Sequence, residues 1–466
     1  MKTKMQAGIL VALVAVGAAL LFGQQSGEIR GTIVQGEKPA IAVIDFRGSG
    51  DAQKYMTMFN QTLWDDLATS GILKMVGKSF YPLVVPQQPG DFKAPSEVAA
   101  TKREPAKQVS NGPWFTDWRN PPVSANYLAF GYTVVQDNKL TLAGNLFNVG
   151  MNDVVSANVF TGTKLYFGAL SNDGARSMAH EYAADILKQF GAMSLTGTKV
   201  FFISDRTGNK EAWSMDYDGT NQRQITSYKA ITNDPAVSAD GKTLAVSTQT
   251  KLGWEIRLHS VETGRRLAYY SPGDSTAGTP EFTPDGSRLF FHKTVDGYSR
   301  LVVTDMQGSN LKVVSTARAI EVSPRVNPKN AKDLLFISGR SGRQQLWRMN
   351  EDGTDLQMLT SGEGDVANPA WSPNGQMVAF AWTRGYEPGN LNIFVMDINK
   401  KQPIQLTSAS GRNENPTWAP DGLHIVYSSK RGRETHIYSM LADGSAVKQL
   451  TTAGNNTQPV WAKGLN

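Results

Sequence analysis

The chain contains no cysteine, so disulfides, thiol chemistry and cysteine-ligated metals are excluded. Histidine is scarce as well. The five present (His180, His259, His292, His424, His436) show no metal-ligand spacing, and there is no His-Glu-x-x-His pair, no Gly-x-Ser-x-Gly elbow and no P-loop. Lysine and arginine form no cluster. The net charge of +6 falls to +4 without Lys2 and Lys4, which gives no case for nucleic acid. One long apolar run exists, Ala7 to Phe22, and its 16 residues are short of the roughly 20 that span a bilayer. Lys2 and Lys4 precede it and the polar Gly23 to Ser26 follows, the layout of a cleaved signal peptide over residues 1–23. With no cysteine after the run, a lipoprotein is excluded. An uncleaved anchor is the plainer alternative.

What is abundant is glycine, 44 residues of it, and a repeated turn-and-strand unit. The unit reads Asn368-Pro369-Ala370-Trp371-Ser372-Pro373-Asn374-Gly375 and recurs with variation around Pro235, Pro280, Pro324, Pro416 and Pro459. Successive prolines stand 43 to 47 residues apart. A steady period of this length, with several short strands in each unit, predicts a six-bladed β-propeller. Two residues after each proline comes an apolar side chain: Val237, Phe282, Val326, Trp371, Trp418 and Trp461. These read as core. Asp240-Gly241, Asp285-Gly286, Asn374-Gly375 and Asp421-Gly422 read as two-residue hairpins. A second set of turns at Gly264, Gly308, Gly353, Lys400 and Gly444 makes four strands per blade. The repeats open at Val200 without a proline strand and close on Pro459-Val460-Trp461 with nothing else. The last strand is therefore expected to complete the first blade and remove an open sheet edge.

Ahead of the repeats, 466 residues leave room for a further domain. A strand at 40–46, a helix from Asp51 to Gly71 and a strand at 72–76 predict an α/β layer with a parallel pairing. From Lys78 to Pro122, eight prolines forbid long elements. That stretch reads as extended loop with one short helix near Ser96. Strands return at 127–135 and 140–147 about the turn Asp137-Asn138, and a strand pair is placed between Val154 and Phe167. A helix through Met178, Tyr182, Ile186 and Phe190 is to be capped by Asn172 or Asp173 and ended by Gly191. The fold class expected is α+β in two domains. An α/β domain over 24–191 carries a mature N-terminal segment, 24–36, and a six-bladed propeller over 192–466 is closed by the last strand.

Ring symmetry puts the loops before the prolines on one face, where polar connections vary without disturbing the blades. The candidate binding residues there are Asn233, Asp234, Gly278, Thr279, Glu321, Asn368, Asn413, Glu414, Asn415, Thr457 and Gln458. Asp234, Glu321, Asp365 and Glu414 are carboxylates near the channel, but scattered oxygen ligands assign no metal, and no cofactor is indicated. Arg206, Arg340, Arg384 and Arg431 recur at similar repeat positions, as hairpin and interblade contacts would.

The unit Asn415-Pro416-Thr417-Trp418-Ala419-Pro420-Asp421-Gly422, followed by Ile437-Tyr438-Ser439-Met440, Asp443-Gly444 and Gln449-Leu450-Thr451, resembles the repeats of the TolB family of the Tol-Pal system. Residues 41–46, 67–71, 86–90 and 127–131 look like the family's N-terminal segments, so the likeness spans nearly the whole mature chain. It implies a periplasmic, non-catalytic scaffold supporting outer-membrane integrity and constriction at cell division. The propeller would bind a Pal-like peptidoglycan-associated lipoprotein. A TolA-like inner-membrane protein would engage the mature N-terminal segment, here Glu28, Ile29, Arg30, Thr32 and Val34. Two departures stand out: the proline-rich 78–122 stretch looks longer, and the third repeat has Lys329-Asn330 in place of Asp-Gly. A monomer is expected, with no nucleic-acid partner and no membrane insertion after signal cleavage. The alternative is a propeller enzyme, a metal-dependent hydrolase or lactonase-like, with its site in the central channel.

Overall fold

Alternation along the strand Ala40–Val43 sends Ile41 and Val43 to one face of a sheet and Ala40 and Ala42 to the other. The N-terminal part of the chain is built on this strand. The computed structural model describes residues 37–99, 107–385 and 388–462, so the expected signal peptide, 1–23, and segment 24–36 lie outside the described residues. The described chain falls into two compact units that divide between Thr196 and Gly197. No helix among the described residues is long and apolar enough to cross a membrane.

In the first unit, Ala40–Val43 pairs in parallel with Lys74–Met75 on one side and Tyr127–Gln136 on the other. Lys139–Asn148 and Lys164–Gly168 then add antiparallel strands. A parallel pair needs a crossover, and the helix Met56–Thr69 supplies it. That helix and Asn172–Gln189 cover one face of the sheet through Phe59, Leu63, Leu67, Met178, Tyr182 and Ile186. The proline-rich stretch covers the other face. Its Phe92, Phe115 and Trp118 are buried against Leu128, Phe130 and Phe147, with Phe92 stacked on Phe147 at 5.3 Å.

Local details of this unit differ from expectation. Ser96–Val98 is a strand paired with Lys107–Val109, and the short helix is Thr116–Arg119, where Trp118 has a core to bury into. Between 154 and 167 there is one strand only, because Asp153 accepts the backbone N–H of Val155 and Ser156 and starts a helical turn at Val154–Ala157. The long helix is capped by Ser171, whose side chain accepts from Gly174 N. A cap must itself be extended, and Asn172 and Asp173 are already helical.

The second unit is six four-stranded antiparallel sheets. Blade one joins 199–224 to 456–462, and blades two to six span 232–267, 277–313, 321–358, 366–405 and 412–449. Each proline strand is the first in its sheet, and it packs against the proline strand of the next blade all the way round. Of the apolar residues after the prolines, Val237 is half-buried and the other five are buried.

The innermost strand of blade one is Asn456–Ala462, antiparallel to Lys199–Ser204. Side chains reinforce this junction. Trp461 Nε1 donates to Thr198 Oγ1 at 3.0 Å, and Asn455 N and Nδ2 donate to the Asp205 carboxylate at 2.7 and 2.9 Å.

The Asp-Gly turns are longer than the two-residue form. Ser238 N donates to Thr243 O and Gly241 N to Ser238 O, so four residues lie between the paired ends. Of the dipeptide, Gly241 alone takes a positive φ, 73°. Asp240 Oδ1 instead accepts from Ser238 Oγ and Lys242 N, which locks the loop. Hydrogen bonds from Thr283 and Ser287 do the same in blade three and hold the Asp285 carboxyl down at about 2. In blade four, where Lys329-Asn330 replaces Asp-Gly, Asn327 pairs with Asn330 and the hairpin does shorten to two residues. In the outer turn of blade five, Lys401 and not Lys400 takes the left-handed conformation, at 54°.

The indole of Trp461 is 8% exposed. Trp461→Ala is expected to cost about 3–5 kcal/mol in denaturant unfolding. Deleting residues 457–466 should lower the unfolding midpoint further, by baring the edge of Lys199–Ser204. An unchanged midpoint in the deletion would contradict a stabilising role for the junction.

Candidate functional site

The residue before each of the six prolines is polar and left-handed. Asp234, Thr279, Ser323, Asn368, Asn415 and Gln458 have φ of 53°, 49°, 54°, 52°, 53° and 53°. Asn and Asp tolerate this region; a β-branched Thr is costly there, and a following proline restricts the choice further. At each position the strand register slips, so every innermost strand carries the same bulge. The bulge turns the six residues to a common axial opening, lined also by Arg325 and Thr417. The opening holds about 40 Å³, space for a water or two.

Half of this ring is belted by hydrogen bonds between blades. Asp234 N donates to Gln458 Oε1 at 2.9 Å, and Gln458 Nε2 donates back to Asp234 Oδ1 at 2.8 Å. Thr279 N donates to Asp234 Oδ2 at 3.1 Å, and Ser323 N to Thr279 Oγ1 at 3.1 Å. His292 stands behind the belt, its Nδ1 2.8 Å from Thr279 Oγ1. Burial pushes the His292 imidazole below its ordinary value, against the pull of Asp234. Desolvation thus disfavours the charged form of His292 beside the belt.

The candidate residues divide by exposure. Asn233, Asp234, Thr279, Asn368, Glu414, Asn415, Thr457 and Gln458 keep part of their surface. Gly278, Glu321 and Asn413 are buried, a correction to their expected place on an exposed loop. Glu321 and Asn413 stand three residues before a proline, where strand alternation points every side chain into its blade. Glu321 pairs there with Arg340, and Asn413 Nδ2 donates to Asn392 Oδ1 at 3.1 Å. A Cβ on Gly278 would fall 2.7 Å from His292 and 2.9 Å from Asp234, so only glycine admits the histidine.

The four candidate carboxylates are not brought together. Glu321 faces Arg340, Asp365 faces Arg343 at 3.8 Å, Glu414 faces Arg412, and Asp234 is in the belt. Among the described residues no group of three or more His, Cys, Asp or Glu could hold a metal ion. Arg206, Arg340 and Arg431 act within their blades, whereas Arg384 Nη1 donates to Ser361 O at 3.2 Å on the connection between blades four and five. Arg206 and Arg431 lie over Trp213 and Tyr438 at 4.6 and 4.0 Å, and Arg206 also bonds Asn456 of the same blade. Sequence reasoning missed His292 and Arg325. The polar character of all six pre-proline residues was a usable signal for the ring.

The family model described as the TolB β-propeller domain matches residues 188–367 and 354–464, together more than half of the chain. The chain belongs to the TolB β-propeller family. The Protein TolB homolog of Chlorobium chlorochromatii (strain CaD3) is 31% identical over 219 residues, 47% of each chain. That of Chlorobium luteolum (strain DSM 273 / BCRC 81028 / 2530) is 31% identical over 233 residues, 49% of this chain and 41% of the relative. The chain thus spans about half the length of the TolB homologues it matches. The crystal structure of TolB from Acinetobacter baumannii superposes with a TM-score of 0.71 at 19% identity, over 92% of this chain and 97% of that one. At that identity the likeness is one of fold.

Two outcomes test the site's construction. A β-branched side chain suits φ near 50° badly, so Asn368→Val should lose about 1–3 kcal/mol while Asn368→Gly stays near wild type. Equal losses in denaturant unfolding would show that the conformation is not what Asn368 provides. Second, an unfolded histidine takes up its proton near pH 6.5 and the part-buried His292 only at lower pH. The unfolded state then binds more protons, and Tm should fall as pH drops below about 6.5. His292→Gln should flatten part of that fall; identical Tm–pH slopes would remove His292 from the account.

Proposed function

We propose that this TolB-family chain is a non-catalytic periplasmic scaffold of a Tol-Pal-like envelope system. The propeller, 192–466, docks a Pal-like peptidoglycan-associated lipoprotein on its pre-proline face. The 24–36 segment at the head of the 24–191 domain, exposed by signal cleavage after residues 1–23, engages a TolA-like inner-membrane protein. In this role the protein supports outer-membrane integrity and constriction at cell division, acting as a monomer. The observation that carries the reading is the ring of six polar residues around one axial opening of the propeller. The family's name and the run of 16 apolar residues near the start add to it.

The surface to test is the part-exposed one. Combining Asn233→Ala, Glu414→Ala and Thr457→Ala should weaken binding of a Pal-like lipoprotein roughly tenfold or more, about 1.4 kcal/mol. Calorimetric titration measures this, and an unchanged Tm separates it from unfolding. Full affinity in the triple variant would move the interface off this face. Deleting residues 24–34 should abolish TolA-like binding and leave lipoprotein binding intact; loss of both would mean that one surface serves both partners.

A further inference from the structure

The sheet of the first unit is covered by two helices on one face and by the proline-rich stretch on part of the other. Aromatics of that stretch meet Leu128, Phe130 and Phe147. Further along the same face, the register builds two cross-strand rows, Tyr132–Ala143–Leu165 and Val134–Thr141–Phe167. Both rows lie opposite the helices, because Leu142 and Tyr166 between them belong to the helix-side core. Leu165 and Phe167 are each 57% exposed, and Tyr132 is exposed beside them. A contiguous apolar patch left bare on a face that is packed elsewhere marks an interaction surface.

The patch ends at Lys164–Gly168, the last strand of its sheet, to which no further strand pairs among the described residues. Sheets ordinarily guard such an edge with a proline, a bulge, free charges or a very short strand. None of these guards is present here. The strand contains no proline, is five residues long, and keeps an unbroken register from Leu140↔Gly168 to Gly144↔Lys164. Its single charge, Lys164, is committed to Asp185 at 2.9 Å. The opposite edge, Lys74–Met75, is only two residues long. Lys164–Gly168 is therefore the edge open to strand addition.

The helix side of this edge adds a charge requirement. Asp185 accepts from Tyr166 Oη at 2.8 Å as well as from Lys164 Nζ. One turn earlier on the same helix, Glu181 has no hydrogen-bond or ion-pair partner among the described residues. Partial burial, and then the charge of Asp185, raise its carboxyl above the ordinary value, and no cation offsets them. Burial, the hydrogen bond to Asp185 and the charges of Asp185 and Glu181 all push the Tyr166 phenol up, so Glu181 acts beside the strand. Side chains of an added strand alternate between the two faces, one apolar and the other carrying an unpaired carboxylate.

We propose that Lys164–Gly168 is a docking edge for an extended segment of a partner protein in which apolar residues alternate with lysine or arginine. The apolar side chains extend the patch of Tyr132, Leu165 and Phe167, and a basic one pairs with Glu181. Backbone hydrogen bonds supply the remaining recognition. The edge lies in the first unit and is independent of the reading of the pre-proline face.

The probe is a labelled peptide alternating valine and lysine, titrated with the full chain and followed by fluorescence anisotropy. Saturable binding is expected, and none when glutamate replaces lysine or when alternate peptide nitrogens are methylated. Combining Leu165→Thr and Phe167→Thr should weaken binding roughly tenfold. Threonine suits an exposed strand position, so Tm should stay unchanged. Glu181→Lys should weaken binding several-fold without touching the apolar patch. Three results would overturn the proposal. One is the absence of saturable binding, and another is equal binding of a peptide with the same residues in blocks. The third is self-association of the full chain in sedimentation that the threonine variant abolishes, which would assign the edge to a second copy.

Discussion

Six residues held at φ near 50°, each followed by a proline, are the constraint on which the propeller depends. A non-glycine residue in this region costs about 1–3 kcal/mol and persists only where its surroundings over-determine it. Here the surroundings are the neighbouring blades. The bulge sends the side chain three residues before the proline into the blade, the one just before it to the axis, and the one two after it into the core. The cost is offset by burial of Phe282, Trp371, Trp418 and Trp461 and by the Gln458–Asp234–Thr279–Ser323 belt. The geometry that builds the ring also aligns its polar face. The fold and the proposed docking face thus rest on one local device, the left-handed residue before each proline.

Much of the propeller was legible because repetition averages over local ambiguity. One proline followed by an apolar residue says little; six at a steady interval specify blade number, strand count and core position together. The exposure of individual loop residues was not legible. Asn413 and Asn415 are the same residue type two positions apart, yet one is buried and the other faces the axis. Only the bulge distinguishes them, and it comes from packing between blades. The Asp-Gly turns misled for a related reason. The dipeptide is shared by several hairpin lengths, and the aspartate side chain closes a longer loop in place of a left-handed backbone.

The N-terminal unit shows where single-copy sequence runs out. Its long helices were readable from apolar spacing, whereas the 78–122 stretch was not, because prolines remove the periodicity on which such readings rest. Phe92, Phe115 and Trp118 nevertheless make that stretch a structural layer, burying the face of the sheet opposite the helices. Its length suits this role, since an irregular chain covers a sheet face only by anchoring several separate aromatics. The mislocated short helix follows from the same gap, because Thr116–Arg119 is helical where Trp118 meets the core.

The central claim is that a lipoprotein partner reads the pre-proline face. Amide hydrogen exchange of the full chain, with and without a Pal-like lipoprotein, tests it most directly. The account predicts new protection at the segments preceding the six prolines, 232–234, 277–279, 321–323, 366–368, 413–415 and 456–458, and none at the inner hairpins around Gly241, Gly286, Gly375 and Gly422. Protection confined to those hairpins, or to the outer strands, would contradict it.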